Sequence, residues 1–474
     1  MALNLSRNTR VWFTTNVDPN TGIIVDAATG YGSWTAANTY ELQVLDGYSF
    51  SQATNAADIT ISEAGSAPVR GKRSFTTALN PADFSFSTYI RPNGSTASTV
   101  TSIEKCLWNA LLGSQAINAP TGVVVTTTTA TRATTSTGVI SSVILTGTAT
   151  GLAVGDSIFL QGMGSTAWDS TAVGALTITT LVASTNTTIG GVFAKAPAAA
   201  GGLTSVSSAS TKYGKGQWYE TAGATFAQAT TAGSNKNQLQ KFAMLFLVDN
   251  TMYVVDNCAL NQATIDFGLD AISMIAWTGN GTQVRQLSTL TAASQITAST
   301  QYSTSANYIT NKLSTVTLTS KIGGNDGTAG TSYVVPITGG SLTINNNNGY
   351  ITPSNLGTVN VPIGYYTGNK AISGTLNAYL RTGTATESGA LLNAVLAAGS
   401  ETKYAMQIEV GGSSNAIRVE FEMPGVTLQV PTVDVQDIVS TTINFSAQGT
   451  DTVLSSQTYD ITANNELLLR YYSA

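Results

Sequence analysis

The feature that most constrains this chain is that it repeats itself. Tyr89-Ile90-Arg91 is answered by Tyr379-Leu380-Arg381, and Asn109-Ala110-Leu111-Leu112 by Asn393-Ala394-Val395-Leu396. Gly47 stands 44 positions before Arg91, and Gly339 stands 42 before Arg381. Downstream, Lys241-Phe242-Ala243-Met244 is answered by Lys403-Tyr404-Ala405-Met406, and the stretch from Asp270 to Trp277 by that from Asp437 to Phe445, with one residue of slippage. Matches of this kind, kept in one order, define a duplicated unit. At 474 residues the chain also exceeds what one core usually serves, so two or three domains are expected.

The repeated unit reads as strand, strand, strand, helix. Leu42 to Phe50 alternates as a strand bent at Asp46-Gly47, and Ile59 and Ile61 mark a second. Phe84, Phe86, Thr88 and Ile90 share one face of a third, with Ser85, Ser87 and Tyr89 on the other. The period then changes: Ile103, Leu107 and Leu111 recur every four residues as the core stripe of a flanking helix, and Leu391 and Val395 do so in the second copy. Residues 241–255 read as a hairpin turning at Asp249-Asn250, apolar on both faces. Its counterpart instead places Gln407, Glu409, Glu420 and Glu422 on one face, together with Arg418.

These readings give an all-β dominated fold with a minor α component. The first copy occupies 1–118 and 236–295, interrupted at 119–235 by a small β domain that ends in a Gly/Ala/Ser linker; 296–312 joins the copies, and 313–474 is the second copy. Residues 1–44, with Arg7, Arg10, Trp12 and Phe13, read as an extended arm or hairpin rather than a core strand. The last residues, Asn465 to Ala474, read as a closing strand that docks on a neighbour.

Composition narrows function. Charged residues are 10% of the chain against about 25% in ordinary domains, which suits a protein that buries uncharged faces in an assembly. Net charge is −5 with 21 Lys and Arg, which argues against strong nucleic-acid binding; a wall that DNA must slide past would have this composition. With no histidine, a His-based triad, general base or metal site cannot be built. Asp249, Asp256, Asp266 and Asp270 lack ligand spacing and read as turn and strand-end carboxylates. Residues 323–330, GGNDGTAG, lack the residues of a P-loop or EF-hand. No cofactor, metal or catalytic residue is expected. Cys106 reads as a small buried hydrophobe. The start, MALNLSRNTRVWF, lacks a leader's apolar core, and no run suits a membrane span, so a soluble protein folding in a cytoplasm is expected.

SRNTRVWFTT, YELQVLDGYSFSQATNAADITISEAG, RGKRSF, ADFSFSTYIRP and IEKCLWNALLGS together resemble the bacteriophage major tail tube proteins, most clearly over residues 5–114 and more weakly over 337–400. The resemblance implies a β-sandwich or barrel-like fold flanked by a helix and no catalysis. It also implies stacked rings around a channel that carries DNA without binding it. Partners would be further copies of the chain, a tail terminator, baseplate or tail-tip proteins and a sheath, in a virion tail assembled in the host cytoplasm. With two folds per chain, three chains would make a pseudo-sixfold ring. Glu63, Arg70, Lys72 and Arg73 are the ring-stacking candidates. Gln407, Glu409, Glu420 and Glu422 are candidates for the lumen, with the outer surface as their other possible place. A carbohydrate- or cell-binding β-protein, such as a phage fibre or adhesin, is the second reading; the Thr-rich insertion fits it, and the helix in each copy speaks against it.

Overall fold

In the computed structural model the described residues are 9–18, 21–24, 34–59, 73–93, 101–112, 127–132, 139–146, 157–161, 176–182, 184–193, 205–208, 212–214, 218–220, 239–249, 251–287, 296, 299–300, 308–321, 329–383, 387–397, 403–411, 418–434, 438–448 and 466–472. The first copy is built from β1 (Arg10–Thr14), β2 (Thr39–Leu42), β3 (Ser49–Ile59), β4 (Arg73–Tyr89) and α1 (Lys105–Leu112). After the insertion it resumes with β5 (Phe242–Val248), β6 (Thr251–Asp266), β7 (Met274–Gly281) and β8 (Gln283–Leu287).

The second copy keeps that order. It runs through β9 (Thr315–Lys321), β10 (Ala329–Val335), β11 (Ile337–Asn345), β12 (Ala371–Tyr379) and α2 (Ser388–Ala397). It then continues through β13 (Lys403–Val410), β14 (Arg418–Leu428), β15 (Thr432–Asp434), β16 (Ser440–Gln448) and β17 (Leu468–Tyr472).

Each copy consists of two antiparallel sheets sharing one long strand. In the first, β2–β1–β5–β6–β8 uses the start of β6, and β3–β4–β7–β6 uses its end. Between those halves Asn257 takes φ 48°, a left-handed conformation that asparagine tolerates better than most residues. In the second copy β14 plays the part of β6, and β10–β9–β13–β14–β17 and β11–β12–β16–β14 are the two sheets. The sheets close on a core in which Phe242 stacks on Phe13 at 4.5 Å and meets Phe84 edge-on at 6.3 Å. The alternating strand explains this placement: Ala82, Phe84, Phe86, Thr88 and Ile90 are all buried. Buried apolar residues of both copies belong to one contiguous cluster.

Register shows the duplication more sharply than sequence. Ser49 faces Ser85 across β3 and β4, as Ser341 faces Thr375 across β11 and β12, and both pairs bring their hydroxyls together, at 2.9 and 3.4 Å. The β5–β6 and β13–β14 hairpins carry a bulge at the same point, between Phe242 and Met244 and between Tyr404 and Met406. One pair is inverted. Phe84 lies opposite Gly279 in the first copy, and Gly374 opposite Phe445 in the second. A Cβ on Gly279 would come within 2.4 Å of Phe84 Cζ, and one on Gly374 within 2.6 Å of Phe445 Cζ. The site holds one ring, supplied from either strand. The structural counterpart of Trp277 is therefore Ile443, two residues before the Phe445 that sequence matching pairs with it.

Three expectations are corrected. Arg10–Thr14 is a core strand: Val11, Trp12 and Phe13 are buried, and β1 is paired on both sides, by β2 and β5. The segment read as linker contains a strand, Ser205–Ser208, which pairs with Thr127–Arg132. The terminal strand β17 pairs within its own chain, with β14 on one side and with Trp218–Glu220 on the other. Strands 205–208, 127–132, 139–146, 186–193, 176–182, 157–161 and 212–214 make a separate seven-stranded antiparallel sheet, in that order.

Candidate functional site

What the fold sets apart is a seam, where an edge strand of one copy's second sheet meets an edge strand of the other's. The end of β6 pairs antiparallel with β11, from Gln262 opposite Asn345 to Asp266 opposite Ser341. On the core side Ile265 faces Leu342, both fully buried. On the other side the hydroxyls of Thr264 and Thr343 lie 3.4 Å apart. The segment after β11 folds back over the first copy and satisfies its backbone. Asn346 donates through Nδ2 to the Leu111 carbonyl at the end of α1 (2.7 Å) and to Leu260 O (3.2 Å). Asn348 donates to Asn261 Oδ1 and Leu260 O, and the Tyr350 hydroxyl sits 2.6 Å from Asn280 O and 3.0 Å from Asn257 O.

Helix α1 wedges this junction. An eight-residue helix is marginal alone, and here Cys106, Leu107, Trp108, Ala110, Leu111 and Leu112 are all buried. The core positions Ile103, Leu107, Leu111 and Leu391 are buried, and Val395 is half-buried. Trp108 meets Trp277 edge-on at 4.9 Å and donates its indole N–H to the Tyr471 hydroxyl of the second copy (2.7 Å). Beside it, Arg91 donates to Gln43, and its Nε lies 3.7 Å from Glu104 Oε1, too far for a hydrogen bond. Both are buried, and Glu104 also accepts from Ser102 (3.1 Å) and lies 3.4 Å from the Tyr471 hydroxyl.

Burial raises the Glu104 carboxyl to about 7, against the opposing pull of Arg91. A raised acid holds its proton in the fold longer than in the unfolded chain. Its contribution is therefore full below the unfolded value near 4.5 and is lost as pH rises to about 7. Glu104→Gln, which cannot ionise, should gain stability relative to the parent across that window, by an amount on the order of 3 kcal/mol, and hold a constant difference above it. Paired thermal melts from pH 4 to 8 read this directly; a pH-independent difference would assign Glu104 no titrating role.

The other sequence-derived candidates fall differently. Gln407, Glu420 and Glu422 are 4%, 0% and 2% exposed, so the expected lumen or outer-surface position is corrected for them. The reason is pairing: Gln407 Nε2 donates to Glu420, Arg418 Nε lies 3.8 Å from Glu409, and Thr315 donates to Glu409 at 2.9 Å. In the first copy the matching positions are apolar: Leu245, Leu247, Met252 and Val254 pack with Trp12, Ile24 and Trp34 in a second core. Glu63, Arg70 and Lys72 lie outside the described residues, and Arg73 is the first residue of β4. Asp256 pairs with Arg285 and accepts from Ile24 N, a structural role. Burial raises the Cys106 and Cys258 thiols, which suits small core residues.

Alternation sets Ser85, Ser87 and Tyr89 on one face of their strand, but the lumen candidates named from sequence lie elsewhere; that face is the one the second sheets turn away from the core. There β4 carries Ser85 and Ser87, β7 Ala276 and Thr278, β6 Gln262 and Thr264, β12 Ser373 and Asn377, and β16 Thr442 and Asn444. Asp83 and Asp266 are acidic, and Lys and Arg are absent from these positions.

The described residues make an all-β dominated protein, two similar sandwiches joined through a continuous sheet. No family model matches the chain. It is similar to the tail tube protein pb6 of Escherichia phage T5, with 25% identity over 463 residues, which cover 95% of this chain and 74% of that protein. The similarity supports a phage major tail tube protein with a structural role in the virion tail.

Proposed function

We propose that three copies of this chain close into a pseudo-sixfold ring, that rings stack into a hollow tube, and that the hydroxyl-rich face of the second sheets lines its channel. The observation that carries this reading is the β6–β11 seam. Two copies of one unit already join side by side through strand pairing, and repeating that join between chains closes a ring and leaves no bare edge in the second sheets. The channel wall would then offer Ser, Thr, Asn and Gln with a few carboxylates. These offer DNA phosphates no cation to pair with and a weak repulsion. The chain acts in this reading as a conduit, not an enzyme.

Stacking falls to one end of the unit. Residues 352–363 are held to β4 through Asn360, which accepts from Leu79 N (2.8 Å) and donates to Thr77 O (3.1 Å). From that anchor Leu356, Val359, Val361 and Ile363 project exposed, an aliphatic cluster that would rest on the adjoining ring.

The test is negative-stain microscopy of the purified protein, with axial class averages and native mass. Rings with threefold modulation and the mass of three chains are expected. Six chains per ring would overturn the stoichiometry, and compact particles without a channel would overturn the function.

A further inference from the structure

The internal seam also specifies the seam between chains, residue by residue. We infer that in the ring Thr432 and Val433 of one chain pair antiparallel with Ser51 and Phe50 of the next. This rests on the ring reading above and adds to it the two edges and their register.

Both sides of the argument come from observed pairings. Across β6 and β7, Thr264 faces Ala276 and Ile265 faces Ile275; across β15 and β16, Thr432 faces Thr442 and Val433 faces Thr441. Because β7 and β16 are equivalent strands, Thr432 stands for Thr264 and Val433 for Ile265. On the other side, the Ser49–Ser85 and Ser341–Thr375 pairs make Ser51 the counterpart of Thr343 and Phe50 that of Leu342. The internal seam pairs Thr264 with Thr343 and Ile265 with Leu342. Transposed, that gives Thr432 with Ser51 and Val433 with Phe50.

The chemistry of each pair survives the transposition. A hydroxyl faces a hydroxyl on the channel side, and an apolar side chain faces another on the core side. Val433 is 43% exposed where its counterpart Ile265 is fully buried, as expected of a residue whose cover comes from a second copy. Among the described residues β3 pairs only with β4 and β15 only with β16, so each has a bare edge. Pro431, at the place of Ala263, removes a donor next to the paired stretch. It keeps that edge short and discourages wrong partners. The helices agree: Leu112 at the internal junction is buried, and its counterpart Leu396 is 60% exposed.

Cysteine pairs read the register. Ser51→Cys with Thr432→Cys places two thiols on directly opposed residues of the same sheet face, within disulfide reach. Shifting the first site by two residues, to Ser49→Cys or Ala53→Cys, keeps the face and breaks the register. Native Cys106 and Cys258 are buried, so diamide as oxidant should act on the introduced pair. The 51/432 pair should form covalent trimers on non-reducing gels at least tenfold more than either shifted pair. Stronger cross-linking from a shifted pair would overturn the register while leaving rings visible by microscopy. Rings with no cross-linking from any pair would overturn the choice of edges. Absence of rings from the parent protein would fail the ring reading itself.

Discussion

Trp108→Ala should remove about 3–5 kcal/mol of stability, a large share of the roughly 5–15 kcal/mol that a protein of this kind possesses. The indole is fully buried, and truncation would leave a cavity against Trp277. It would also strip the Tyr471 hydroxyl of its donor beside the buried Glu104. The loss would fall on the junction between the copies, because Trp108 belongs to the first and Tyr471 to the second. Urea unfolding of the protomer measures it. Trp108→Phe keeps most of the apolar area and deletes the hydrogen bond, so a smaller loss, about 1–2 kcal/mol, is expected there. A cycle with Tyr471→Phe should show coupling between the two sites. A Trp108→Ala loss below about 1 kcal/mol, against the 3–5 expected, would mean that α1 rides on the junction rather than wedging it.

Much of the architecture was legible because strands write their faces into sequence. Phe84, Phe86, Thr88 and Ile90 alternate and are buried together, and the Tyr89–Tyr379 match follows a shared register. The match failed at Trp277 because the aromatic ring moved to the partner strand: Phe445 replaces Gly279, not Trp277. Compensation across a sheet is invisible to residue-by-residue matching. The first strand was misread because Arg10 and a Gly/Asn-rich sequence suggest an arm, whereas Arg10 pairs with Glu41 on the neighbouring strand.

The candidate site was legible only in part. Alternation separated Gln407, Glu409, Glu420 and Glu422 from their apolar neighbours, but it cannot say whether a polar face meets water or its own ions. Here it meets Arg418 and Gln407. The seam itself had no local signal, since Ile265 and Leu342 come together only through the duplication. The one clue lay at the edge between chains, where β3 carries no Lys or Pro to guard it.

Leu356→Asp combined with Val361→Asp should abolish long tubes and leave rings. Leu356 is fully exposed and Val361 partly so in the protomer, so neither change removes a core contact, and protomer stability should move by no more than about 0.5 kcal/mol. In a stacked tube the same side chains would be buried once per chain at every ring boundary. Burying an unpaired carboxylate there is strongly unfavourable, and a threefold ring multiplies the penalty by three, so a modest cost per site becomes decisive for polymerisation. Sedimentation and electron microscopy separate the outcomes. Rings without tubes place the stacking contact on residues 352–363; full-length tubes from the double variant would remove the aliphatic cluster from the interface. Loss of rings as well would tie this segment to ring closure, a role that the bond between Asn360 and β4, made within one chain, gives no reason to expect.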